Sequence, residues 1–423
     1  MFQGCTNLKF INISSEGIFS TSSVENIKNF FYGCESLISL DLSLFNTDLI
    51  TSFEYMFYSC KLLKSLDLSS FNSSSVKDMQ YMFYSCISLT SINLSSFNTE
   101  EVALTQLMFS NCTSLISLDL SNFVTPKLIE MRSMFSDCES LISLNIKGLQ
   151  TTNIDSISEL FQNCKSLKSL DLSNFNTSNI KYMTSLFEGC SSLISLDISN
   201  FDTSNTQYMK NMFKDCSSLT SLNLSFFNME KVQVIDYMFF NCKNLEYINF
   251  KNAREVSSFT TSNAFKGTPK NIVYCINNAE TIMNAILEEN SECRINECSE
   301  KWKERQKKLI DEIDDCIDDC KNNEIYRYQY ENKCYFTCPN QTRSSINDEL
   351  ICIDINDESE YSLNSLNSLT DENLSNENKE TDINSKYKEN DGNIENRETD
   401  INIQNQENAG NTQIHESDIN IRN

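Results

Sequence analysis

The chain has 423 residues, with 34 Lys and Arg against 59 Asp and Glu, and therefore a formal net charge of −25. It contains 18 Cys but only one His, His415. A single imidazole excludes multi-histidine zinc sites and leaves no Cys-His or Ser-His pair away from that residue, so most hydrolytic chemistries are disfavoured. The charge disfavours a nucleic-acid partner, because no basic patch of useful length interrupts it.

The first two thirds of the chain repeat with a period of 26 residues. Ten cysteines mark the repeat, and after one interval of 29 residues they recur every 26. A phenylalanine stands three residues before each cysteine and a leucine three residues after it. An eleventh, degenerate unit places Phe265 and Thr268 on the same grid. We number these units coils 1 to 11; the marking cysteines of coils 1 to 10 are Cys5, Cys34, Cys60, Cys86, Cys112, Cys138, Cys164, Cys190, Cys216 and Cys242.

Each unit combines two hydrophobic periods. In coil 7, Leu167–Leu172 spells L-x-x-L-x-L, and its period of two predicts a short strand. After the turn-forming segment Asn176–Ser178, apolar residues recur at steps of three and four from Ile180 to Cys190, which predicts one or two helical turns. A strand plus a short helix is a leucine-rich-repeat unit, which must stack to bury its apolar face. Residues 1–274 are therefore predicted to form an α/β solenoid with a parallel sheet on its concave face.

The repeat also carries a recognisable motif, M-F-x-x-C-x-S-L-x-S-L-D-L-S-x-F-N-T. It runs from Leu160 to Thr177 with only the first residue changed, and it recurs with two changes from Met82 to Thr99. The motif resembles that of the BspA-like leucine-rich-repeat surface proteins of bacteria and anaerobic protists. The resemblance implies a secreted or surface-displayed protein that binds other macromolecules, in some relatives host matrix proteins or neighbouring cells. Because Met1 falls in mid-repeat, we expect a truncated N terminus that leaves any export signal undocumented.

The outward face of the strands is the candidate ligand-binding surface. Midway along each strand stands an Asp or Asn, and strands about 4.8 Å apart align these side chains into a ladder. Solenoids use such surfaces for binding, although a merely solvated face is an equally good interpretation. One oxygen ligand per coil is too few for calcium, which takes about six to eight. The candidates are Asp41, Asp67, Asn93, Asp119, Asn145, Asp171, Asp197 and Asn223.

Residues 275–352 lose the period and contain eight more cysteines, an even number that predicts a disulfide framework in an oxidising compartment. Zinc is the weaker alternative, since no histidine is near, and we predict neither a metal nor a cofactor. A helix is predicted over 299–321, with Trp302, Leu309, Ile313, Cys316 and Cys320 along one stripe. The disulfide candidates, with pairing left open, are Cys275, Cys293, Cys298, Cys316, Cys320, Cys334, Cys338 and Cys352.

The remaining segment, 353–423, has 17 acidic residues against 5 basic ones and no Cys, which predicts a disordered acidic spacer. Its motif Glu-Thr-Asp-Ile-Asn recurs in near-identical form every 18 residues from Glu380. No apolar run of about 18 residues occurs in the sequence, so no transmembrane segment is predicted in it. If the chain enters a eukaryotic secretory pathway, Asn340, in the triplet Asn-Gln-Thr, is the best candidate for glycosylation.

Together these patterns predict a non-enzymatic, adhesin-like binding protein outside the cell or at its surface. Its partner would be a protein or glycoprotein, and the resemblance points to host matrix or neighbouring cells. The alternative is an intracellular leucine-rich-repeat scaffold for protein–protein interaction, in which all 18 cysteines stay reduced. An enzyme centred on the cysteine-rich module is disfavoured, because no pair of nucleophile and base is evident.

Overall fold

The repeats wind into a parallel β-solenoid of about 11 turns, which confirms the predicted fold class. Strands of neighbouring coils pair in parallel and in register, with Ser65 opposite Ser91 and Ser117 opposite Ser143. The computed structural model describes residues 1–11, 21–255, 259–277, 279–288, 307–313, 315–345 and 347–355. All of these belong to one compact unit, Met1–Glu360, and the second unit, Tyr361–Asn423, lies outside the described residues. The disordered tail therefore stays a prediction.

Short strands line one side of the solenoid, because in most coils only the segment Ser-Leu-Asp or a close variant of it is extended. They pair in parallel as β1–β2, β3–β4, β5–β6 and β7–β8–β9. Coils 7 and 8 follow the same path without a regular strand. The strands are β1 (Phe10–Ile11), β2 (Ser39–Leu40), β3 (Ser65–Asp67), β4 (Ser91–Asn93), β5 (Ser117–Asp119), β6 (Ser143–Asn145), β7 (Ser221–Asn223), β8 (Tyr247–Phe250) and β9 (Val273–Ile276).

The predicted helical turns of the repeats are wrong, because consecutive tight turns occupy those positions. The Ser185 N–H donates to the Lys210 carbonyl of the next coil at 2.8 Å, and the Leu186 N–H closes a turn onto the Met183 carbonyl at 3.3 Å. Ser185 and Gly189 have φ of 55° and 75°, in the left-handed region that an α-helix does not contain. Apolar residues three apart thus occupy successive turn corners, and over a short segment this spacing imitates a helical period.

A ladder of stacked phenylalanine rings runs through the core. The rings of neighbouring coils have centroids 5.0–6.0 Å apart and planes inclined by 25° or less. Each such pair contributes about 0.5–1.5 kcal/mol beyond the burial of its area. The members are Phe2, Phe31, Phe57, Phe83, Phe109, Phe135, Phe161, Phe187, Phe213, Phe239 and Phe265, one from each coil.

Nine repeat cysteines, from Cys34 to Cys242, form a buried column of free thiols beside this ladder. Each Sγ lies 3.0–3.3 Å from the carbonyl oxygen of the ladder phenylalanine in the preceding coil, as in Cys86 on Phe57. The thiol therefore fills space and donates a hydrogen bond. Burial raises the pKa of Cys86 and of Cys138 to about 12, so these groups stay protonated at neutral pH.

A smaller β-rich module follows the helix α1 (Glu280–Leu287). Its sheet has the strand order β11-β10-β13-β12, and β14 pairs with β15 in a separate hairpin. Among the described elements, no helix is long and apolar enough to cross a membrane. The strands are β10 (Lys308–Ile310), β11 (Asp315–Ile317), β12 (Tyr328–Tyr330), β13 (Lys333–Tyr335), β14 (Thr342–Ser344) and β15 (Cys352–Asp354).

The helix predicted over 299–321 is wrong wherever this segment is described. Leu309 on β10 lies opposite Cys316 on β11 in an antiparallel pair, and Cys320–Asn322 is a single 3₁₀ turn. Strand β10 is paired on both edges, with β11 and with β13. Its backbone N–H and C=O groups thus bond to neighbouring strands and not to residues four positions away, as they would in a helix. Ile313 is exposed in the turn between β10 and β11, and Trp302 lies outside the described residues.

Candidate binding surface

The strand face comprises the outward side chains of Ser39–Asp41 and of the equivalent residues in coils 3 to 9. All eight Asp and Asn candidates lie on this face, and all but the partly buried Asn145 are exposed. The alternation is direct in β3, where Ser65 and Asp67 are exposed and Leu66 is buried between them. Pairing in register places Asp67 beside Asn93 in the next coil. The structure therefore brings neighbouring candidates together as one column.

Each candidate also has a structural role that the sequence interpretation missed. Its Oδ1 accepts a hydrogen bond from the backbone N–H two residues later, at 2.9–3.3 Å. Asp67 accepts from Ser69, and Asn93 accepts from Ser95 in the same way. This Asx-turn needs one oxygen, so carboxylate and amide serve equally, which explains why Asp and Asn alternate along the column. The recurring Asp/Asn-x-Ser spacing was the available signal.

The same hydrogen bonds stabilise negative charge on the strand face. In Asp171, the Ser173 hydroxyl is the main cause of a lowered pKa, assisted by the Ser173 N–H. The backbone N–H of the serine two residues later is the main cause of the lowered pKa in Asp41, Asp67, Asp119 and Asp197. These carboxylates are therefore ionised at neutral pH, and each has a second oxygen outside the turn.

An open cleft of about 340 Å³ interrupts the strand face between coils 6 and 7. It is lined by Ile142–Leu144 and Ser169–Asp171. Ile142 is 56% exposed, and the equivalent Ile116 of coil 5 is 49% exposed. The Ile142 N–H donates to the Ile116 carbonyl at 2.9 Å, which joins the two coils. Beside the cleft, Lys147 Nζ lies 3.3 Å from the Asp171 carboxylate. Apolar side chains are thus surrounded by polar and charged ones.

Five tyrosines form a second feature, on the turn side of coils 2 to 4. Ring centroids are 4.5 Å apart for Tyr32 and Tyr58, 4.8 Å for Tyr58 and Tyr84, and 4.6 Å for Tyr55 and Tyr81. Partial burial raises the pKa of Tyr55 and of Tyr58. The repeated Phe-Tyr-x-Cys segment was the sequence signal for this cluster. Because the rings stack on one another, most of their faces are already covered.

The structure pairs four of the predicted disulfide cysteines, Cys320 with Cys334 and Cys338 with Cys352. Cys275 and Cys316 are also disulfide-bonded, whereas Cys293 and Cys298 lie outside the described residues. Asn340 is exposed in the turn before β14. In its triplet, the Thr342 Oγ1 donates to the Pro339 carbonyl at 2.7 Å. Glycosylation of Asn340 stays a prediction.

The repeat pattern has a counterpart among known protein families. The family described as "Mycoplasma protein of unknown function, DUF285" matches residues 1–122, 88–173 and 155–272. The chain belongs to this family. The matched segments together span the solenoid of the DUF285 chain up to coil 11. A comparison with curated proteins found no match.

Several solved structures are similar to the DUF285 chain. A leucine-rich cell surface protein from Faecalibacterium prausnitzii A2-165 has 18% identity and a TM-score of 0.37, covering 67% of this chain and 77% of its own. A leucine-rich repeat protein from Bacteroides ovatus has 21% identity and a TM-score of 0.28, covering 63% and 78%. An internalin from Listeria monocytogenes has 16% identity and a TM-score of 0.22, covering 65% and 78%.

Proposed function

We propose that this DUF285 chain is a non-enzymatic, adhesin-like binding protein, secreted or displayed at the cell surface. It recognises a protein or glycoprotein partner through the strand face. The cleft between coils 6 and 7 supports the proposal, because the exposed Ile142 lines it within a surface of Ser, Asp and Asn. The exposed Ile116 of coil 5 is bonded to Ile142 and extends the apolar area beside the cleft. An apolar centre with a polar rim is the usual arrangement of a protein interface.

The repetition of the strand face determines the mode of binding. Similar groups recur in each coil, so a long partner contacts several coils at once and gains avidity from weak single contacts. The apolar centre supplies the strongest of these contacts, because desolvated side chains at the middle of an interface carry most of its energy. Host matrix or neighbouring cells, with their repeated glycoproteins, are partners of this kind.

The disulfides of the C-terminal module support the extracellular location. Two of them close short loops, Cys320–Cys334 and Cys338–Cys352, with a sequence separation of 14 residues each. Such bonds persist in oxidising compartments and are rare in reducing ones. Protein from its native source would be denatured and alkylated with and without reduction. Oxidised cysteines confined to 275–352 would support the surface location, whereas 18 free thiols would favour the intracellular scaffold.

The binding site is tested with a double substitution, Ile116→Ser with Ile142→Ser. The matched control is Ile129→Ser, since Ile129 is 55% exposed but lies outside the strand face. Binding would be measured to immobilised matrix glycoproteins and to intact cells. We expect the double variant to bind at least about tenfold more weakly and the control to bind normally. Equal binding by all three proteins, or equal loss in both variants, would contradict the proposed site.

A further inference from the structure

A second cleft, of about 490 Å³, lies where coils 9 and 10 meet the start of the C-terminal module. Three segments line it, Ser225–Asn228, Lys251–Arg254 and Asn277. Its size is in the range of small-ligand sites. It lies beyond the C-terminal ends of β7 and β8 and is therefore separate from the cleft between coils 6 and 7. Nothing in the proposed protein-binding function uses it.

The lining of this cleft departs from the repeat at three positions. At the position that Phe226 occupies in coil 9, coils 5, 7 and 8 have an asparagine: Asn122, Asn174 and Asn200. The Asn200 Nδ2 donates to the Leu172 carbonyl of the preceding coil at 3.0 Å. Coil 9 has Phe226 there, which forgoes this hydrogen bond and is 59% exposed. An exposed aromatic ring in place of a bonded amide weakens the coil, and exposed apolar groups of this kind are typical of binding sites.

The two other departures introduce positive charge. Lys251 and Arg254 of coil 10 occupy the positions of Ser225 and Asn228 in coil 9. Within the described part of the chain, no carboxylate lies within ion-pair distance of either cation. Coil 6 has Lys147 at the position of Lys251, and there the lysine is paired: its Nζ lies 3.3 Å from the Asp171 carboxylate. Lys251 has no such partner, because Cys275 stands at the corresponding position.

The nearby carboxylate of Glu255 is engaged elsewhere. Its two oxygens accept hydrogen bonds from the N–H groups of Thr281 and Ile282, at 2.9 and 3.0 Å, at the start of α1. A carboxylate at a helix N terminus is stabilised there by the orphan N–H groups and the helix dipole. Among the described residues the two cations thus have no paired carboxylate, in a chain whose net charge is −25. A local positive charge in such a chain selects an anion.

We infer that this cleft binds a saccharide that carries a carboxylate or a sulfate. Lys251 and Arg254 pair with the anionic group, and the Arg254 guanidinium donates two parallel hydrogen bonds to it. The electron-rich face of Phe226 accepts the polarised C–H groups of a sugar ring. Amide side chains of Asn252 and Asn277 donate to and accept from sugar hydroxyls. An acidic peptide would use the cations but would leave the aromatic ring and the amides without matching groups.

The variants that test this inference restore the residue of a preceding coil, so they are expected to fold. They are Phe226→Asn, Lys251→Ser and Arg254→Asn. The control is Lys147→Ser, which removes a lysine from the same column in coil 6. The probes are sialyllactose, a hyaluronan tetrasaccharide and a chondroitin sulfate disaccharide, with lactose as the neutral sugar and pentaglutamate as the acidic peptide. Calorimetry measures affinity, and saturation-transfer NMR identifies the bound sugar protons.

We expect at least one anionic saccharide to bind, with lactose and pentaglutamate at least about tenfold weaker. Phe226→Asn should lower the affinity for the saccharide about tenfold. Lys251→Ser and Arg254→Asn should each lower this affinity as much and should also reduce its dependence on salt concentration. Lys147→Ser, and the double substitution of Ile116 and Ile142, should leave the affinity unchanged, which separates this site from the strand face. The inference would be overturned if no anionic saccharide bound at about 10 mM. It would also be overturned if pentaglutamate bound with equal affinity, or if the three variants bound the saccharide normally.

Discussion

Replacing Thr151 with valine should destabilise the solenoid although the two side chains have nearly the same shape. Thr151 is 1% exposed, and its Oγ1 donates to the Asn176 carbonyl of the next coil at 2.8 Å. The same oxygen accepts the Asn176 N–H at 2.8 Å. One hydroxyl thus satisfies both backbone groups of one residue. Valine keeps the methyl group and the burial but leaves that donor and that acceptor without a partner.

The expected cost follows from these two groups. An unsatisfied buried polar group costs about 1–3 kcal/mol, so the two groups left by Thr151→Val should lower the free energy of unfolding by about 2–6 kcal/mol. Thr151→Ser keeps the hydroxyl and loses one methyl, which costs about 1 kcal/mol. Coil 3 has serine at this position, and Ser73 makes the equivalent bonds to Asn98 at 2.9 and 2.8 Å.

The assay has to resolve individual coils, because repeat arrays open locally and a single unfolding midpoint averages over them. Hydrogen exchange at the Asn176 amide reports directly on the Thr151 hydroxyl, and urea unfolding measures the whole solenoid. Thr90→Val is the control, since the Thr90 hydroxyl bonds the Lys64 carbonyl at 3.1 Å from an exposed position. Unchanged protection of Asn176 in Thr151→Val, or equal losses for the serine and valine variants, would refute this reasoning.

Three further predictions concern the strand face, the thiols and the disulfides. Asp67→Asn should preserve stability at neutral pH. The Ser69 N–H lowers the pKa of Asp67 in the folded state, so the ionised carboxylate stabilises the fold above the unfolded pKa of about 4. This stabilisation is lost as the pH falls through the lower folded pKa. Thermal midpoints measured from pH 7 to 2 should therefore show less acid sensitivity in the variant. In the native protein, iodoacetamide should label the exposed Cys5 and spare buried thiols such as Cys138, whose pKa burial raises to about 12; mass spectrometry showing equal labelling would contradict the buried column. Replacing both cysteines of the Cys320–Cys334 disulfide with serine should destabilise the C-terminal module by about 3 kcal/mol, whereas unchanged urea unfolding would mean that the bond constrains little.

The position of the Asp and Asn column was predicted from the sequence, but its bonds to the backbone were missed, and the binding role of these residues stays a prediction. Alternation along the strand was enough to place Asp67 and its equivalents outward, because side chains of a strand point to opposite faces in turn. Their bonding to the N–H of Ser69 and its equivalents is also local, and the Asp/Asn-x-Ser spacing contained it. What the sequence interpretation lacked was the competition between a structural and a binding use of the same oxygen.

Neither cleft could be predicted from the repeat alone, because each depends on what adjacent coils place side by side. The cleft between coils 6 and 7 needs the edges of Ile142–Leu144 and Ser169–Asp171 to separate. The cleft at the end of the solenoid needs Phe226, Lys251 and Asn277 to converge from three successive turns. Departures from the repeat, such as Phe226 for Asn, identify candidate positions in the sequence but do not show which ones meet.

The sequence by itself determined the period, the stacking and the inward residues of this protein. In a solenoid each residue stacks on its counterpart 26 positions along the chain, so a residue type that recurs at that interval, such as the Phe of every coil and the Cys of coils 2 to 10, forms a continuous column. Only the tertiary structure decided the backbone between these columns. Residues three apart are buried by a helix and by successive tight turns alike, and the two are distinguished by where the N–H groups bond. In this protein the Ser185 N–H bonds Lys210 in the next coil, a partner that no local pattern reveals.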